Sequence, residues 1–396
     1  MAQKLALLGD SMIATGYDQA NNRTLNRWIS GPLVSLLGPT FAGYYNFGVG
    51  GDTIEDCLAR IGDVTSSDAD WVLVECGINN LSRPETTLDS MIDAYENVIR
   101  ELIVAGKKII CCTVLERKLI KDGGAVEKKQ YDIRPLFNNW LRDTLASSGN
   151  IKALIDFDQP GSSGVEWNPK KDALDNTHPN TSKCTDIAAL IADKVKAALV
   201  NDGLSEITLG SNRLATPQLM GNAGTSTGAH ISGDIATGWR FLDAQTGTEQ
   251  IKCETILDTP GGTQKLTFSG KPSGVAVSDF FRDNQSLVSF TSGEIAMTSF
   301  RLRTQDLSGV IGIYSQLIIP YVGGTQYVSA MYVSPSDSNT HYRQIKPTDD
   351  ITIWSPPYTI TENVTGCTFR LALCYLDGAP LSGSASISEP FVGVVQ

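Results

Sequence analysis

Histidine is scarce in this chain, and the cysteines lack the spacing of a metal site. Only three of the 396 residues are histidines, namely His178, His230 and His341. The eight cysteines form no Cys-x-x-Cys pair, which excludes the common zinc-finger and zinc-ribbon patterns. We therefore expect no bound metal and no cofactor. We expect no obligatory disulfide either, and Cys367 and Cys374 are the first pair to check.

Long hydrophobic runs and repeats are also absent. The apolar segment Leu5–Leu8 is too short for the core of a signal peptide, and no segment approaches the ~18 apolar residues of a membrane-spanning helix. No heptad stretch or other repeat is evident, so no coiled-coil trimerisation element is encoded. We expect synthesis in the cytoplasm without a cleaved signal peptide, and no insertion into a membrane.

Basic residues are not in excess. The net charge of −11 argues against nucleic acid or an anionic membrane surface as the main partner, and it is the ordinary acidity of a soluble chain. A hydrophobic fraction of 41% is sufficient for packed cores. Because 396 residues are many for a single domain, the length favours two domains.

The first half of the chain alternates apolar runs with helical patterns. Strands are predicted at Leu5–Leu8, Tyr44–Phe47, Trp71–Cys76, Lys108–Val114 and Ala153–Phe157. Helices are predicted at Leu25–Leu37, from Ile54 to Ile61, and at Leu88–Ala105, Ile133–Ala146 and Thr185–Leu199. Nearly continuous apolar strands that alternate with helices are typical of a parallel sheet covered on both faces. We predict an α/β domain over residues 1–203.

The second half has a different pattern. From about Asp202, helical periodicity stops and charged residues become fewer. Short β-branched or aromatic segments follow one another, separated by Gly, Pro, Ser and Asn. This spacing predicts an antiparallel β-sandwich over residues 204–396, with the linker at Asn201–Ser211.

Four short polar blocks stand out in the first half. They are Gly9-Asp10-Ser11, Gly50-Gly51-Asp52-Thr53, Gly77-Ile78-Asn79-Asn80 and Asp175-Asn176-Thr177-His178. The first three each follow a predicted strand. Ligands bind outside the carboxyl ends of parallel strands, so these blocks are expected to meet at one edge of the sheet.

Together the blocks contain the groups that acyl transfer by a serine requires. Ser11 is the candidate nucleophile, His178 its general base and Asp175 the carboxylate that orients the base. The backbone N–H groups of Ser11 and Gly51 and the side-chain amide of Asn79 are the candidate oxyanion donors. Taken singly, each block also has an ordinary interpretation. Asp175-x-x-His178 could be a surface turn, Gly50-Gly51 a turn after a strand, and Asn79 a helix N-cap.

These residues resemble the SGNH (GDSL) hydrolase family over residues 4 to 200, with Ser11, Gly51, Asn79 and His178 as the four name-giving positions. The third block departs from the family pattern, since Asn80 stands where an aspartate is usual. The resemblance implies a three-layer, flavodoxin-like domain with serine esterase activity. A looser resemblance links the start of the second half (Asn212-Arg213-Leu214, Pro217, Gly221, Gly224, Gly238-Trp239) to jelly-roll modules of phage tail fibres and carbohydrate-binding proteins. It implies a sugar- or receptor-binding sandwich.

Three functions are compatible with these resemblances. The first is a serine esterase that removes small acyl groups, chiefly O-acetyl, from a bacterial capsule or O-antigen as part of a phage tail fibre or tailspike. A tail fibre would be expected to be a homo-oligomer, commonly a trimer. The second is a free intracellular lipase or thioesterase. The third is a receptor-binding protein that keeps the hydrolase domain only as a scaffold. The complete triad argues against the third.

Several other residues are secondary candidates. Glu166 and Trp167 precede His178 and could line an acyl or sugar pocket, although ordinary packing is the simpler interpretation. His230 and His341 lack metal-ligand spacing and are interpreted as surface or loop residues. The aromatic residues of the second half that could stack on sugars, most of them expected in the core, are Trp239, Tyr332, Tyr342, Trp354 and Tyr358. Asp10 is expected to tie down the nucleophile loop.

Overall fold

The computed structural model describes residues 3–25, 28–116, 128, 132–158, 175, 177–243, 247–257, 260–273, 278–283, 287–332 and 348–396. The chain divides into two compact units. The first comprises Met1–Gln19, Arg27–Leu33 and Thr40–Glu206, and the second comprises Ala20–Asn26, Val34–Pro39 and Ile207–Gln396. The second unit therefore includes two short segments from the first 40 residues, which periodicity alone did not indicate. Whether residues 1–203 and 204–396 behave as independent domains stays a prediction.

The first unit is built on a parallel sheet. The strands in the first part of the chain are β1 (Lys4–Gly9), β2 (Tyr17–Asp18), β3 (Arg23–Leu25), β4 (Gly43–Gly48), β5 (Trp71–Glu75), β6 (Lys108–Cys112) and β7 (Ala153–Ile155). Five of them form the sheet in the order β4-β1-β5-β6-β7, with every neighbouring pair parallel. The central strands β1 and β5 are buried almost throughout, because helices cover the sheet. The predicted α/β fold is confirmed.

Helices flank this sheet. They are α1 (Ser11–Ala14), α2 (Ser30–Leu37), α3 (Ile54–Ala59), α4 (Ile61–Thr65), α5 (Leu88–Val104), α6 (Arg134–Trp140) and α7 (Thr181–Asn201). The described residues also include a π-helical turn at Leu141–Leu145 and 3₁₀ turns at Gly38–Thr40, Asn80–Ser82 and Ala146–Ser148. The Thr53 side chain caps α3 in a capping box with Asp56, and Thr87 does the same for α5 with Ser90. These caps satisfy backbone N–H groups that a helix start leaves without partners.

One predicted helix begins later than expected. Leu25 lies in β3, and α2 begins only at Ser30. Trp28 has a positive φ of 54°, a conformation that a right-handed helix cannot accommodate. The Ser30 hydroxyl donates to the Ile13 carbonyl at 2.6 Å and accepts from the Tyr17 N–H at 2.9 Å, which fixes the helix start.

The second unit is a β-sandwich. Its later strands are β8 (Thr225–Thr227), β9 (Ile231–Gly233), β10 (Trp239–Leu242), β11 (Gln250–Ile256), β12 (Thr263–Ser269), β13 (Ser278–Asp283), β14 (Val288–Phe290), β15 (Ile295–Ser308), β16 (Val310–Tyr321), β17 (Gly324–Tyr332), β18 (Asp349–Trp354), β19 (Tyr358–Thr359), β20 (Val364–Tyr375) and β21 (Ser382–Val395). One sheet contains the run β3-β17-β16-β20-β13-β10-β8, and the other runs β18-β15-β21-β12-β11-β9. Most pairs are antiparallel, but β3, β8 and β9 pair in parallel. The predicted sandwich is confirmed.

Aromatic side chains fill the core of the second unit. Trp239 is only 1% exposed, and its ring stacks on Phe281 at a centroid distance of 4.9 Å. Phe241, Phe300 and Phe369 belong to the same buried cluster. Burying rings of this size supplies a large share of the hydrophobic stabilisation of a sandwich. Trp239 is therefore a core residue and not part of a sugar-stacking platform.

The cysteines are buried as free thiols. All eight are unbonded in the structure. Cys367 and Cys374 lie on the same strand, β20, so their Cα atoms are about 23 Å apart by strand geometry. A disulfide needs Cα atoms within about 7 Å, so these two residues cannot pair with each other. Within the described ranges, no helix is both long enough and apolar enough to cross a membrane.

Candidate active site

Ser11 lies at the carboxyl end of the central strand β1. It is the first residue of α1, and the Asp10 carboxylate caps this helix by accepting from the Met12 N–H at 3.0 Å. A side chain at Gly9 would collide with the backbone of β5, since its Cβ would lie 2.1 Å from the Glu75 carbonyl oxygen. The sharp change from strand to helix therefore requires glycine at position 9 and a capping side chain at position 10.

His178 and Asp175 complete a hydrogen-bonded chain to Ser11. The His178 Nε2 atom lies 2.7 Å from the Ser11 Oγ atom, and His178 Nδ1 lies 2.8 Å from Asp175 Oδ2. These distances are those of hydrogen bonds, and they connect a hydroxyl, an imidazole and a carboxylate in the order that acyl transfer requires. The structure thus brings together the three residues predicted as nucleophile, base and orienting carboxylate.

The other oxygen of Asp175 shapes the loop that holds His178. Asp175 Oδ1 accepts hydrogen bonds from the backbone N–H groups of Thr177 at 2.7 Å and His178 at 2.8 Å. Burial raises the pKa of Asp175, but the hydrogen bonds from His178 and Thr177 outweigh it and hold the pKa below its ordinary value. Asp175 is therefore negatively charged at neutral pH and can stabilise a protonated His178 ring.

Gly51 provides an open stretch of backbone beside Ser11. Its φ is +89°, which an L side chain rarely adopts, and no atom lies within 4 Å of the place where its Cβ would be. At the preceding position, a Cβ on Gly50 would lie 3.9 Å from the Ser11 Cβ atom. The second block therefore passes close to Ser11 and leaves free space at Gly51.

Asn79 is joined to the same loop. Its side-chain amide donates to the Asp52 carbonyl oxygen at 3.0 Å. An amide nitrogen has two N–H donors, so this bond leaves one that can point toward a reacting oxygen. Asn79 occupies the N-cap position of the 3₁₀ turn at Asn80–Ser82, but its side chain makes no capping hydrogen bond to that turn.

We expect Asn79→Ala to lower kcat by roughly a hundredfold to a thousandfold, which is the usual cost of removing one oxyanion donor. The Michaelis constant should change little, because the donor bonds strongly only in the transition state. Steady-state kinetics on a chromogenic acetate ester measure both constants. A rise in the Michaelis constant with unchanged kcat would mean that Asn79 only binds substrate.

Asn80 fits its surroundings better than the aspartate usual at this position would. Its Oδ1 accepts from the Ile54 N–H at 2.9 Å, and its Nδ2 donates to the Glu55 carboxylate at 2.7 Å. The residue is buried, with 1% of its surface exposed. A buried carboxylate here would lie beside the exposed carboxylate of Glu55, and the two like charges would repel each other. The departure from the family pattern therefore matches Glu55 and leaves Asn79 in place.

Arg60 connects three of the segments around Ser11, and the sequence analysis did not identify it. Its Nε atom pairs with the Asp52 carboxylate at 2.6 Å, and its Nη2 donates to the Gly9 carbonyl at 3.0 Å. A further bond reaches the Phe47 carbonyl at the end of β4. Because the Asp52 carbonyl accepts from Asn79, Arg60 is a positioning residue for the loop that carries Gly51.

Arg60→Lys is expected to lower kcat about tenfold to a hundredfold, because lysine cannot form the three directional bonds of the guanidinium. The Michaelis constant for a small ester should stay within about threefold, as expected for misplaced catalytic groups. Arg100→Lys, an exposed change on α5, is the matched control. Unchanged kcat together with a lower melting temperature would show that Arg60 only stabilises the fold.

Trp28 is a second neighbour of the triad that the sequence analysis missed. Its ring centroid lies 4.4 Å from that of His178, at an interplanar angle of 57°. The residue keeps its positive φ because the adjacent Ile29 N–H donates to the Met12 carbonyl at 3.1 Å, which ties this segment to α1. Strained backbone of this kind is common at functional sites. Trp28 therefore forms one wall beside the imidazole.

Glu75 is a buried carboxyl group at the end of the strand next to β1. It ends β5 and is buried, with 3% of its surface exposed. Burial, with a smaller contribution from the nearby charge of Asp10, raises the pKa of Glu75 well above its ordinary value. Burial therefore favours the neutral form of this carboxyl group over the charged form.

The structure describes only some of the secondary candidates from the sequence analysis. Glu166, Trp167, His341 and Tyr342 lie outside the described residues, as does the side chain of Tyr332. Trp354 lines a cleft of about 510 Å³ in the second unit, together with Phe391 and Glu389. His230 lies in a loop, but in a cluster with Asp243 and Glu249 that sequence spacing did not indicate.

Comparison with known proteins finds similarity over the first half of this chain. Residues 7–182 match the sequence model of the GDSL-like Lipase/Acylhydrolase family. The A-type flagellar hook-associated protein 2 of Pseudomonas aeruginosa is 24% identical over 201 residues, which cover 51% of this chain. The alignment spans only 36% of that protein's own length.

Solved structures of esterases are also similar to about half of this chain. The acetylxylan esterase Axe2 from Geobacillus stearothermophilus is 18% identical, with 49% of this chain and 94% of that chain covered and a TM-score of 0.37. The psychrotrophic esterase EstA from Pseudoalteromonas sp. is 19% identical, with 50% and 100% covered and a TM-score of 0.34. A member of the lipolytic protein G-D-S-L family from Veillonella parvula is 16% identical, with 48% and 97% covered and a TM-score of 0.34.

The matched segment contains every residue of the Ser11–His178–Asp175 chain. The segment similar to the GDSL-like Lipase/Acylhydrolase family, residues 7–182, is therefore the segment that carries the serine–histidine–aspartate geometry.

Proposed function

We propose that the protein is a serine esterase that removes small acyl groups, chiefly O-acetyl, from a polysaccharide. The observation that carries the proposal is the hydrogen-bonded chain from the Ser11 hydroxyl through His178 to Asp175, with distances of 2.7 and 2.8 Å. In this chemistry the Ser11 Oγ attacks the ester carbonyl while His178 Nε2 takes the hydroxyl proton. Asp175 stabilises the resulting imidazolium.

The reaction then follows the two halves of acyl transfer. The tetrahedral intermediate carries a negative oxygen, which the N–H groups of Ser11, Gly51 and Asn79 would stabilise. The intermediate collapses to an acyl-serine when the bond between the acyl carbon and the sugar oxygen breaks, and His178 gives its proton to that oxygen, which leaves as the sugar hydroxyl. Water, deprotonated by His178, attacks the acyl-serine and releases the carboxylic acid and free Ser11.

The second unit supports a polysaccharide as the substrate. Its cleft of about 510 Å³ is lined by the aromatic rings of Trp354 and Phe391 and by polar groups that include Asn212 and Glu389. Aromatic rings with a few convergent polar groups are typical of ligand sites in proteins, and sugars suit this combination. An ester hydrolase joined to such a sandwich favours a phage tail fibre or tailspike that acts on capsules or O-antigens of bacteria.

The test compares small esters with whole polysaccharides. The protein should hydrolyse a chromogenic acetate ester much faster than the corresponding octanoate, and it should release acetate from at least one member of a panel of capsules and O-antigens. Preference for octanoate would indicate a lipase or thioesterase instead. Absence of activity on every ester would indicate a receptor-binding protein in which the hydrolase domain is only a scaffold.

The Trp354→Ala variant tests the cleft itself. It should lower kcat/KM on the polysaccharide substrate about tenfold, the size of one good aromatic contact, and leave hydrolysis of the small acetate ester within twofold. Tyr327→Ala removes another aromatic ring of the same unit, 44% exposed and outside the cleft, and serves as the matched control. Equal activity of wild type and Trp354→Ala on polysaccharide would show that the cleft does not bind the substrate.

A further inference from the structure

We propose that His230, Asp243 and Glu249 form a binding site for a divalent transition metal, with zinc as the best fit, in the second unit. Each residue offers one ligand atom, and the three atoms lie within 4.8 Å of one another. In a tetrahedral zinc site with bonds of about 2.0–2.2 Å, ligand atoms are about 3.3–3.6 Å apart. Small side-chain rotations would therefore bring the three groups onto one ion. The proposal rests on the second unit alone and is independent of the esterase proposal.

The three residues come from the ends of strands in both sheets of the sandwich. His230 directly precedes β9, Asp243 directly follows β10, and Glu249 directly precedes β11. Strand β10 belongs to one sheet, whereas β9 and β11 belong to the other. A metal ion bound here would join the two sheets at one end of the sandwich.

Backbone hydrogen bonds fix the positions of the three residues. The Ile251 N–H donates to the His230 carbonyl at 2.8 Å, and the Asp243 N–H donates to the Thr227 carbonyl at 2.8 Å. The loop before Glu249 is equally constrained, since the Thr248 N–H donates to the Lys271 carbonyl at 2.8 Å. The backbone that carries the ligand groups is thus held before any ion binds, which reduces the entropy cost of binding.

Glu249 gives the strongest indication of a cation site. Its side chain is completely buried, and neither carboxylate oxygen has a hydrogen-bond partner among the described residues. The Nδ1 atom of His230 is buried and likewise has no partner in this part of the chain. A buried carboxylate is strongly unfavourable unless it is paired or coordinates a metal. A metal ion would satisfy both groups together.

The local backbone leaves room for this carboxylate. A Cβ at Gly247 would lie 2.3 Å from the Glu249 Oε2 atom, so any larger residue there would displace the carboxylate. Glycine at position 247 therefore suits a carboxylate that turns back across its own loop.

The ligand set indicates which ions fit. One imidazole nitrogen and two carboxylates suit zinc and neighbouring transition metals, whereas calcium and magnesium prefer oxygen ligands alone. Three protein ligands leave a fourth position for water or for the second oxygen of a carboxylate. Because the ion would link strand ends, its expected effect is on the stability of the sandwich.

The test measures zinc content and thermal stability of the full chain. The protein is stripped with a chelator, dialysed, incubated with zinc and freed of excess metal by gel filtration. We expect about one zinc per chain by elemental mass spectrometry. At zinc concentrations about a hundredfold above Kd, the melting temperature should rise by about 5–10 °C relative to the chelated protein. Manganese should give a smaller rise, and calcium little or none.

Variants assign the bound zinc to the cluster. Glu249→Gln and His230→Asn should each lose the bound zinc and the zinc-dependent rise in melting temperature. Glu254→Gln removes the same charge from an exposed position on β11 and should keep both. If Glu249→Gln fails to fold, His230→Asn and the wild-type titration decide the question. Failure of the wild type to retain zinc, or unchanged zinc content in His230→Asn, would overturn the proposal.

Discussion

Ser11→Ala is expected to reduce ester hydrolysis by about 10⁴-fold or more while leaving the fold intact. The Ser11 hydroxyl is the proposed nucleophile, and loss of one member of a triad typically costs this much in turnover. Its Oγ atom contacts the Nε2 atom of His178, and an alanine methyl group fits the same space. Steady-state rates on a chromogenic acetate ester, together with the melting temperature, provide the measurement.

The control for this variant is Ser66→Ala, since Ser66 is an exposed serine at the end of α4 in the same unit. It should retain full activity. Activity of Ser11→Ala within tenfold of the wild type, in a preparation free of contaminating esterase, would exclude Ser11 as the nucleophile.

His178→Ala should reduce turnover to a similar extent, because Ser11 would lose the base that takes its proton. The double variant with Ser11→Ala should be less than about tenfold slower than either single variant, since residues that act as one unit are not additive. Single-variant and double-variant rates on the same ester make a double-mutant cycle. If the double variant instead loses turnover by the product of the two single-variant losses, Ser11 and His178 act independently.

Added imidazole gives a second readout for His178→Ala. The cavity left beside the Trp28 ring could admit free imidazole, because that ring lies only 4.4 Å from the ring of His178. Partial recovery of activity with imidazole, absent in Ser11→Ala, would identify His178 as the base. Equal stimulation of both variants would instead show that imidazole hydrolyses the ester by itself.

The fold was largely predictable because its signals are local. Buried parallel strands are nearly continuous apolar runs, so β1 and β5 were placed to within one residue at either end. The start of α2 was not predictable, because the positive φ of Trp28 depends on contacts with α1 and not on neighbouring residues. Contacts between residues far apart in the sequence also explain why the second unit includes Ala20–Asn26 and Val34–Pro39. Thr24 illustrates it, since its hydroxyl accepts from the distant Met331 N–H at 2.8 Å.

The residues of the candidate site could be predicted where a residue with a suitable polar group directly follows a predicted strand. Ser11, Gly51 and Asn79 each follow a strand of one parallel sheet, so the order of the strands brings them to one edge. Arg60 has no such signal, because its function depends on carbonyl groups that become neighbours only in the folded chain.

The cluster of His230, Asp243 and Glu249 escaped detection for a related reason. Sequence patterns for metal sites rely on ligands at short, regular spacing, as in zinc fingers. Here the three residues precede or follow three different strands. Strands β9 and β11 pair in one sheet, whereas β10 lies in the other, so only the folded sandwich brings the three residues together. The unsatisfied oxygens of Glu249 identify the cluster, and they are a property of the structure alone.

The central claim is that Ser11 carries the acyl group during turnover, and covalent labelling tests it most directly. The active protein is treated with a fluorophosphonate, which phosphonylates activated serines, and the labelled peptide is identified by mass spectrometry. We predict one label per chain, located on Ser11, with loss of esterase activity in proportion to labelling and no label in Ser11→Ala or His178→Ala. Complete inactivation with the label on another residue, or full activity after Ser11 is labelled, would contradict the account.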